Sequence, residues 1–402
     1  MRSIKKLKNL AGKKVLVRVD FNVPIGKGKV LDDSRLYASL PTIQYLLKRK
    51  AKVILVSHLG RPEGIDSSLS LVPVTKRLGE LMKKNIKILD IKILKKYFKN
   101  IDGYFEYARN EIKKMKNGQI LMLENIRFFA GERNNDGVFS KQLSELCDVF
   151  VLDGFAVAHR ASPSVTGVTK YASSYAGLLL EQEIDGLNKV VKNPKKPFVV
   201  VLGGAKTGTK IPVMKNLLPK CNFLIIGGGI VNTYLKALGY EIGSSLVDNG
   251  LEKEILKYCK SKKVIKPVDV VVGTMDGARY RVVELQKKPQ QICQKGEAIL
   301  DCGPQTIRLY ATYIKKAQTL VWNGAMGLFE QKPYDVGTFS IARLVASRSK
   351  GKAYGVIGGG ETLQSMDLVG MKDCVDLVST GGGAMLEFLS GKKLPGVMVV
   401  SN

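Results

Sequence analysis

Short runs of consecutive apolar residues recur along the chain, and stretches with helical spacing of apolar positions separate them. Such runs predict strands that are buried on both faces, as in parallel sheets covered by helices. The N-terminal half has these predicted strands: Val15–Asp20, Val53–His58, Ile120–Asn125 and Val149–Asp153. The C-terminal half has these: Phe198–Gly203, Phe223–Gly228, Val268–Gly273, Ile299–Gly303, Thr319–Gly324, Tyr354–Gly358 and Cys374–Thr380. The pattern therefore predicts an α/β fold with two parallel sheets.

A helix is predicted between these halves, where apolar residues recur every three or four positions: Leu180, Ile184, Leu187 and Val191. Pro194 should end it, because the residue before a proline disfavours the helical conformation. The strand pattern restarts at Phe198, which indicates a connector between two domains rather than an ordinary surface helix, the alternative. We expect an N-terminal domain over residues 1–177, a connector over 178–197 and a C-terminal domain over 198–385.

Polar and charged residues follow the predicted strands of the N-terminal half, at the sheet edge where open parallel sheets bind ligands. The candidates are Asp20, Asn22, Arg35, His58, Arg61, Arg127, His159 and Arg160. Arginine matches carboxylate and phosphate groups with two parallel hydrogen bonds. A structural role is the usual one for a single histidine at a strand end. Four arginines beside both histidines of the chain instead predict a site for a small polyanion.

Glycines follow the predicted strands of the C-terminal half, in "VVVLGGAKTGTK", "LIIGGGIVN", "VWNGAMG", "YGVIGGGET" and "LVSTGGGAM". Glycine lets the backbone approach a ligand closely, and a following helix N-terminus attracts phosphate. Tight turns alone are the alternative, but five such ends favour a nucleotide site, although neither the P-loop nor the dinucleotide fingerprint occurs. Lys206 and Lys210 follow the first turn and suit a phosphoryl group. The two halves together predict phosphoryl transfer.

Composition limits the remaining classes. The net charge of +29 could indicate a nucleic-acid partner, but the lysines are spread over many segments at helix-like spacing, which is typical of solvated faces. The cysteines are scattered singly, which predicts reduced thiols rather than disulfides or a zinc site. The chain shows neither the apolar core of a signal peptide nor an apolar run long enough to span a membrane, so we expect a cytoplasmic protein without a membrane partner.

Eight motifs, in this order, carry a family resemblance: "RVDFNVP", "SHLGRP", "LENIRFFAGE", "AHRA", "VLGGAK", "NGAMGLFE", "GGGET" and "STGGGAMLEFLSGKKLPG". Over about residues 15–397 the chain resembles phosphoglycerate kinases. The resemblance implies two Rossmann-like domains joined by a hinge helix, with residues 386–402 returning to the N-terminal domain. It also implies a cytoplasmic monomer that transfers phosphate reversibly from 1,3-bisphosphoglycerate to ADP, giving 3-phosphoglycerate and ATP in glycolysis, with Mg²⁺.

The resemblance also implies roles for individual residues. Those matching the binding site for 3-phosphoglycerate are Asp20, Asn22, Arg35, His58, Arg61, Arg127, His159 and Arg160. Those matching the nucleotide site are Gly204, Lys206, Lys210, Gly228, Asn323, Glu330, Gly359, Gly360, Glu361 and Thr362, with Glu361 as the metal ligand and Glu330 on the ribose. The catalytic set would be Arg35, Lys206, Gly382 and Gly383, with the Gly381–Gly383 turn facing the transferred group.

Four residues depart from the family pattern: Thr209 for aspartate in the turn associated with domain closure, Ala325 for proline, Glu361 for aspartate and Ser162 for histidine. None of them removes a phosphate-binding arginine or lysine. Two alternatives stay open. A weakened family member that closes poorly would gain activity from Thr209→Asp. A basic RNA-binding or scaffolding protein would bind nucleic acid at physiological salt, whereas we expect no specific nucleic-acid partner.

Overall fold

The computed structural model describes residues 1–97, 101–285 and 291–401. The chain divides into two compact units, of which the first comprises Met1–Ile184 with Lys393–Asn402, and the second comprises Asp185–Lys392. The division falls within the helix Leu178–Val191, at the position of the predicted connector.

The first unit is built on a six-stranded parallel sheet with the order β5-β6-β4-β1-β7-β8. Its strands are β1 Lys14–Arg18, β4 Lys52–Val56, β5 Lys87–Leu89, β6 Ile120–Leu123, β7 Val149–Leu152 and β8 Ser174–Ala176, and a small antiparallel hairpin joins β2 Ile25–Gly26 to β3 Lys29–Val30. The short edge strands β5 and β8 are absent from the prediction, because three residues give too little apolar pattern to read.

Helices cover this sheet. They are α1 Ser34–Lys48, α2 Val72–Met82, α3 Ile91–Lys96, α4 Ile101–Lys114, α5 Ala130–Arg133, α6 Gly137–Ser144 and α7 Leu178–Val191. The start of α7 is fixed by two buried side chains, since the Leu178 N–H donates to Thr42 Oγ1 at 2.9 Å and the Leu179 N–H donates to Asp153 Oδ1 at 3.1 Å. These bonds satisfy N–H groups that a helix end leaves without partners.

The second unit has its own six-stranded parallel sheet, with the order β11-β10-β9-β15-β16-β17. Its strands are β9 Phe198–Leu202, β10 Phe223–Ile226, β11 Val264–Ile265, β15 Thr319–Asn323, β16 Tyr354–Gly358 and β17 Leu377–Ser379. The flanking helices are α8 Ile211–Leu217, α9 Gly228–Ala237, α10 Glu252–Cys259, α11 Pro304–Ile314, α12 Val336–Ser349, α13 Gly360–Leu368 and α14 Gly383–Leu389. The last helix, α15 Pro395–Val399, belongs to the first unit.

Two predicted strands of this half belong to a different sheet. The strands β12 Asp269–Gly273, β13 Tyr280–Glu284 and β14 Ala298–Cys302 form an antiparallel sheet with the order β13-β12-β14. The assignment of β12 and β14 to a parallel sheet is therefore wrong. Both are short apolar runs, and a run of that kind has the same pattern in either type of sheet.

Separate apolar cores lie between sheet and helices in each unit, with Phe21 and Leu55 fully buried in the first and Trp322 fully buried in the second. All six cysteines are free thiols, and four of them are buried. Among the helices that the structure describes, none is long and apolar enough to cross a membrane. In each unit the first strand, β1 or β9, lies at the centre of its sheet, so the chain order reverses beside it. Such switch points are where open α/β sheets bind ligands.

Candidate active site

The basic group of the first unit is centred on Arg18, the last residue of β1, which is 2% exposed. Its Nε donates to Ser164 Oγ at 2.9 Å, and its Nη1 donates to the Val19 carbonyl at 2.5 Å. Its Nη2 lies 3.2 Å from His58 Nδ1. Burial lowers the pKa of Arg18 to about 10, the charge of Glu132 opposes that shift, and the charge of Arg160 adds to it. Arg18 therefore places a buried positive charge at the end of a central strand, the position where open sheets bind ligands.

His58 is buried beside Arg18, and its protonation state follows from its surroundings. Burial, followed by the positive charges of Arg18, Arg127, Arg160 and Arg35, holds the pKa of His58 well below its usual value. Its imidazole is therefore neutral near pH 7. Because a guanidinium has only donors, Nδ1 accepts from Arg18 and the ring proton sits on Nε2. His58 can donate one hydrogen bond to a ligand but does not serve as a cation.

Asp20 and Arg35 form an ion pair at the same edge of the sheet, with Arg35 in the first turn of α1. Asp20 Oδ1 also lies 3.6 Å from His58 Nδ1. Burial lowers the pKa of Arg35, and the charge of Glu183 opposes that shift. Asn22 is exposed, and its Oδ1 accepts from the Gly60 N–H at 2.9 Å. The structure thus brings together the predicted residues that follow β1 and β4.

Arg127 joins the group from the loop after β6. Its Nη1 donates to the Gly60 carbonyl at 2.5 Å. Burial lowers its pKa to about 10, with further lowering by the charges of Arg160, Arg18 and Arg61, while Glu132 opposes it. These mutual effects place the arginines within electrostatic reach of one another. Arg61 and Arg160 are exposed and His159 is half-buried. Positive charge concentrated in this way at one edge of a sheet attracts a small anion.

Glu132 holds the side chain of Arg18 in place through Ser164. It accepts from the Ser164 hydroxyl at 2.7 Å and the Ser164 N–H at 2.9 Å, and Ser164 accepts in turn from Arg18. Ser162, where the family has histidine, also donates to Glu132, at 2.8 Å. The sequence reasoning missed Arg18 and Glu132. An arginine closing the apolar run of β1 was a usable signal for Arg18, whereas the position of Glu132 depends on tertiary packing.

The second unit contains a cavity of about 470 Å³ at the ends of β9, β10 and β15, closed on one side by β14. Much of its wall is apolar, including Ile226, Val231, Leu300 and Met326. Four of the predicted nucleotide residues line it: Gly204, Gly228, Glu330 and Glu361. An apolar pocket with a few polar groups at one end is the usual form of a small-molecule site.

Two glycines of this wall occupy conformations that require glycine. Gly204 has φ +84°, and a Cβ there would lie 2.9 Å from Glu361 Oε2. Gly228 has φ +54°, and a Cβ there would lie 2.9 Å from the backbone N and O of Gly204. Since positive φ is strained for residues with a Cβ, both turns depend on glycine, which brings the backbone close to whatever fills the cavity.

Glu361 lies in the first turn of α13, beside these glycine turns. Its Oε2 accepts from the Ala325 N–H at 3.4 Å, and the neighbouring Thr362 Oγ1 accepts from the Gly324 N–H at 2.7 Å. A proline at position 325 would have no N–H to donate, so two of the departures from the family pattern meet in this contact. Gly359 has φ +101° and caps the N-terminus of α13, whose first residue is Gly360.

Lys210 is buried behind the turn rather than in the cavity wall. Its Nζ donates to Asn323 Oδ1, and Asn323 Nδ2 donates to the Gly358 carbonyl at 2.5 Å. Burial lowers the pKa of Lys210 to about 8, and the charge of Glu361 opposes that shift. The structure thus brings together Lys210, Asn323 and Glu361, three of the predicted residues, beside the glycine turns.

Lys206 lies outside the cavity wall and is exposed, with its carbonyl accepting from the Thr209 hydroxyl at 2.9 Å. Gly382, with φ +50°, precedes α14, which begins at Gly383. Helix α14 packs on α8, the helix that follows the Lys206 turn. These residues do not line the cavity, but they follow β9 and β17, which run parallel in one sheet and end at the same edge of it.

The residues present fit a magnesium ion. Within the described residues, no group of three or more acidic, histidine or cysteine side chains could hold a metal. Mg²⁺ is usually bound by one or two carboxylates together with substrate phosphates. Glu361, at the glycine turns and beside the helix start Gly360, offers a carboxylate of that kind.

The comparisons with known proteins all lead to one family. The phosphoglycerate kinase family profile matches residues 4–392. A phosphoglycerate kinase of Dictyoglomus turgidum is 43% identical over 401 residues, which is 98% of this chain and 97% of that protein. The phosphoglycerate kinase structure from Coxiella burnetii matches with a TM-score of 0.83 at 38% identity, covering 99% of this chain and 98% of that one. The one from Pyrococcus horikoshii matches with a TM-score of 0.84 at 30% identity, covering 100% and 98%.

Proposed function

The chain belongs to the phosphoglycerate kinase family, and from that premise we propose that its arginine group binds 3-phosphoglycerate and its glycine-walled cavity binds the nucleotide. The enzyme is a phosphotransferase with a carboxyl group as acceptor, and ATP or ADP and 3-phosphoglycerate or 1,3-bisphosphoglycerate are its substrates. The observation that carries the site assignment is the buried Arg18 with Arg35 and Arg127 around a neutral His58.

The acceptor side needs charge and orientation rather than a base. A carboxylate acceptor has no proton to lose at neutral pH, so the neutral His58 would orient 3-phosphoglycerate by donating from Nε2. Arg18 and Arg127 would neutralise its phosphate, and Asn22, Arg61, His159 and Arg160 would complete the site. Asp20, paired with Arg35, would contact the acceptor as the family match implies.

The transfer itself would be a direct in-line displacement without a phosphoenzyme. Such reactions depend on positioning and on stabilising the negative charge of the transferred group. Arg35 from the first unit, and Lys206 with the backbone N–H groups at Gly382 and Gly383 from the second, would supply this stabilisation. In-line transfer requires the two bound substrates to meet, and we propose that α7 is the hinge that permits it.

On the nucleotide side, Gly204 and Gly228 would admit the phosphates close to the backbone, with Lys210, Asn323, Gly359, Gly360 and Thr362 on the phosphate side. Glu330, at the exposed rim of the cavity, would bind the ribose hydroxyls. Glu361 would hold Mg²⁺. When bound, the ion neutralises phosphate charge.

We also propose that the enzyme works as a monomer in the cytoplasm. The free thiols support a reducing compartment, because paired cysteines are the rule in oxidising ones. Light scattering of the purified protein should give a mass near 44.1 kDa, and a mass of twice that value would contradict the monomer.

The decisive experiment is a coupled assay of the purified enzyme with 3-phosphoglycerate, ATP and Mg²⁺, following 1,3-bisphosphoglycerate formation. We expect a kcat of at least roughly 1 s⁻¹, the lower end of the ordinary range of kinases. Activity that does not saturate with 3-phosphoglycerate, or that survives replacement of both Arg18 and Arg127 by methionine, would contradict the proposed acceptor site.

Lys210 gives a pH-dependent prediction for nucleotide binding. Its pKa of about 8 in the free enzyme should rise when phosphates bind, since negative charge favours the protonated amine. ADP binding at pH 8.5 should therefore take up a fraction of a proton, and affinity should fall as the pH rises above about 8. Calorimetry in buffers of different ionisation enthalpy measures the uptake. In Lys210→Met it should disappear, and equal uptake in both proteins would show that another group is responsible.

Gly204→Ala should weaken nucleotide binding in addition to lowering the stability of the fold through backbone strain. A methyl group there would displace the Glu361 carboxylate, whereas a methyl group at Gly351, which has φ +76° in the same unit, would have nothing within 4 Å. Both alanine variants should lose about 1–2 kcal/mol of unfolding free energy. Only Gly204→Ala should raise the Kd for ADP with Mg²⁺. Equal Kd values for the two variants would show that Glu361 does not contribute to nucleotide binding.

A further inference from the structure

Asp301 is a buried carboxylate on the cavity wall that the proposed mechanism does not use. It lies in β14, is 3% exposed, and lines the cavity next to Leu300. Neither the strand pattern nor the motifs single it out, because it stands within an apolar run. A buried charge needs partners to be stable, and the partners of Asp301 show what it does.

Its hydrogen bonds join strand to helix. Asp301 Oδ2 accepts from the Gly337 N–H at 2.6 Å, at the start of α12, and Oδ1 accepts from the Cys302 N–H at 2.9 Å. The N-cap residue of α12, Asp335, makes no side-chain capping bond. Asp301 therefore supplies, from another element, the anionic acceptor that a helix N-terminus favours.

Two glycines leave the space that the Asp301 carboxylate occupies. A Cβ at Gly337 would overlap Asp301 Oδ1, and a Cβ at Gly327 would lie 2.5 Å from the same oxygen. Gly327 belongs to the loop 324–330, which runs along the cavity and ends at Glu330. Asp301 thus lies in a gap that only glycines on both the helix and the loop leave open.

The same loop is bound to the two elements that Asp301 connects. The Met326 and Gly327 N–H groups donate to Thr338 Oγ1 on α12, at 3.0 and 3.2 Å. The Leu328 N–H donates to the Leu300 carbonyl on β14, at 2.7 Å. A shift of α12 away from β14 would therefore move the loop, and with it the side chain of Glu330.

We propose that the ionised carboxylate of Asp301 is a positioning residue for the nucleotide: by joining β14 to α12 it holds the loop 324–330, and hence Glu330, in the binding geometry. The inference rests on the proposed nucleotide site and deepens it.

Protonation of Asp301 should therefore affect binding. Burial raises the pKa of Asp301 to about 7, the N–H bonds of Gly337 and Cys302 oppose this, and the charge of Asp335 adds to it. The Cys302 thiol also faces the carboxylate: its hydrogen bond lowers the pKa of Asp301, and burial holds the pKa of the thiol itself well above its usual value. As the pH falls through about 7, Asp301 takes up a proton, and nucleotide affinity should fall.

The test is Asp301→Asn, with ADP and Mg²⁺ binding to the full-length enzyme measured by calorimetry from pH 6 to 8.5. The amide keeps the shape but loses the charge, so the Kd for ADP at pH 8 should rise about tenfold while the Kd for 3-phosphoglycerate stays within about twofold. The ratio of variant to wild-type Kd should shrink towards pH 6, where wild-type Asp301 is protonated. Phosphate ionisation of ADP cancels in that ratio.

Asp269→Asn is the matched control. Asp269 is equally buried in the neighbouring strand β12 and accepts from the Gln305 and Thr306 N–H groups at the start of α11, but it does not line the cavity. Its variant should lose stability yet keep the wild-type Kd for ADP. An equal loss of ADP affinity in both variants, or a ratio for Asp301→Asn that does not vary with pH, would overturn the positioning role.

Thr338 provides a second route if Asp301→Asn does not fold. Thr338→Val removes the acceptor for the loop N–H groups and should raise the Kd for ADP several-fold, and Thr338→Ser, which keeps the hydroxyl, should restore it. Wild-type affinity in Thr338→Val would overturn the inference. If the wild-type enzyme itself bound no ADP, the proposed nucleotide site would fail instead, so the two failures are distinguishable.

Discussion

Replacing Arg35 with alanine is expected to lower kcat by roughly 10³-fold, because an arginine that stabilises a transferred phosphoryl group contributes on that scale. The Kd for ADP should stay near the wild-type value, since Arg35 lies in the first unit and the proposed nucleotide site lies in the second. Steady-state kinetics in the direction of ATP consumption, with calorimetry for ADP, separates the two quantities. Arg35→Lys should recover part of the loss, because it keeps the charge without the planar fork.

Arg49→Ala is the control for this variant. Arg49 caps the opposite end of the same helix, α1, and is exposed over the ring of Tyr45. Its removal should leave kcat unchanged. Arg35→Ala also leaves Asp20 without its ion pair, so thermal unfolding must be measured with the kinetics. A kcat within about threefold of wild type in a folded Arg35→Ala protein would refute the catalytic role.

Lys206→Ala is expected to lower kcat by roughly 10²-fold, the usual effect of removing one group that stabilises transition-state charge. Its side chain is exposed on a turn whose backbone is held by Thr209 Oγ1 and by the Gly208 N–H bond to Asp248 at 2.9 Å. Removing the side chain should therefore leave the fold intact. Rapid-quench measurement of a single turnover would show whether the chemical step slows.

Lys215→Ala tests whether any lysine near this turn would behave in the same way. Lys215 is exposed on α8, directly after the turn, and carries the same charge. It should retain wild-type kcat. If the two lysine variants lost activity equally, the effect would be one of general positive charge, and Lys206 would have no specific role.

Much of the fold is readable in the sequence because buried parallel strands are nearly continuous apolar runs. Val53 to Val56 and Phe198 to Leu202 could be recognised with no knowledge of their neighbours. The antiparallel pairing of β12 could not, since its apolar residues resemble those of a parallel strand and the partner strand β13 is half exposed. Pairing is decided by the chain connections, which local pattern does not record.

The candidate site shows the same limit. Residues after a strand, such as His58, could be selected because the sheet edge is a predictable place for ligands. Arg18 could not be selected by that rule, since it is the last residue inside the strand. Lys210 was expected at the phosphates, yet its burial beside Asn323 and its lowered pKa depend on how β15 packs against β9. The role of Asp301 depends on its contacts with Gly337 on α12 and Gly327 on the loop, which no local pattern around residue 301 records.

Residues near the C-terminal end of the described chain form part of the first unit. The Gly396 N–H donates to the Ala158 carbonyl at 2.8 Å, and the Arg2 N–H donates to the Val400 carbonyl at 2.7 Å. During translation these residues leave the ribosome only after the entire second unit has been made. Domains usually complete folding in the order in which they are synthesised. Here the second unit can complete its folding first, because the first unit includes the C-terminal residues 393–402, which are synthesised last.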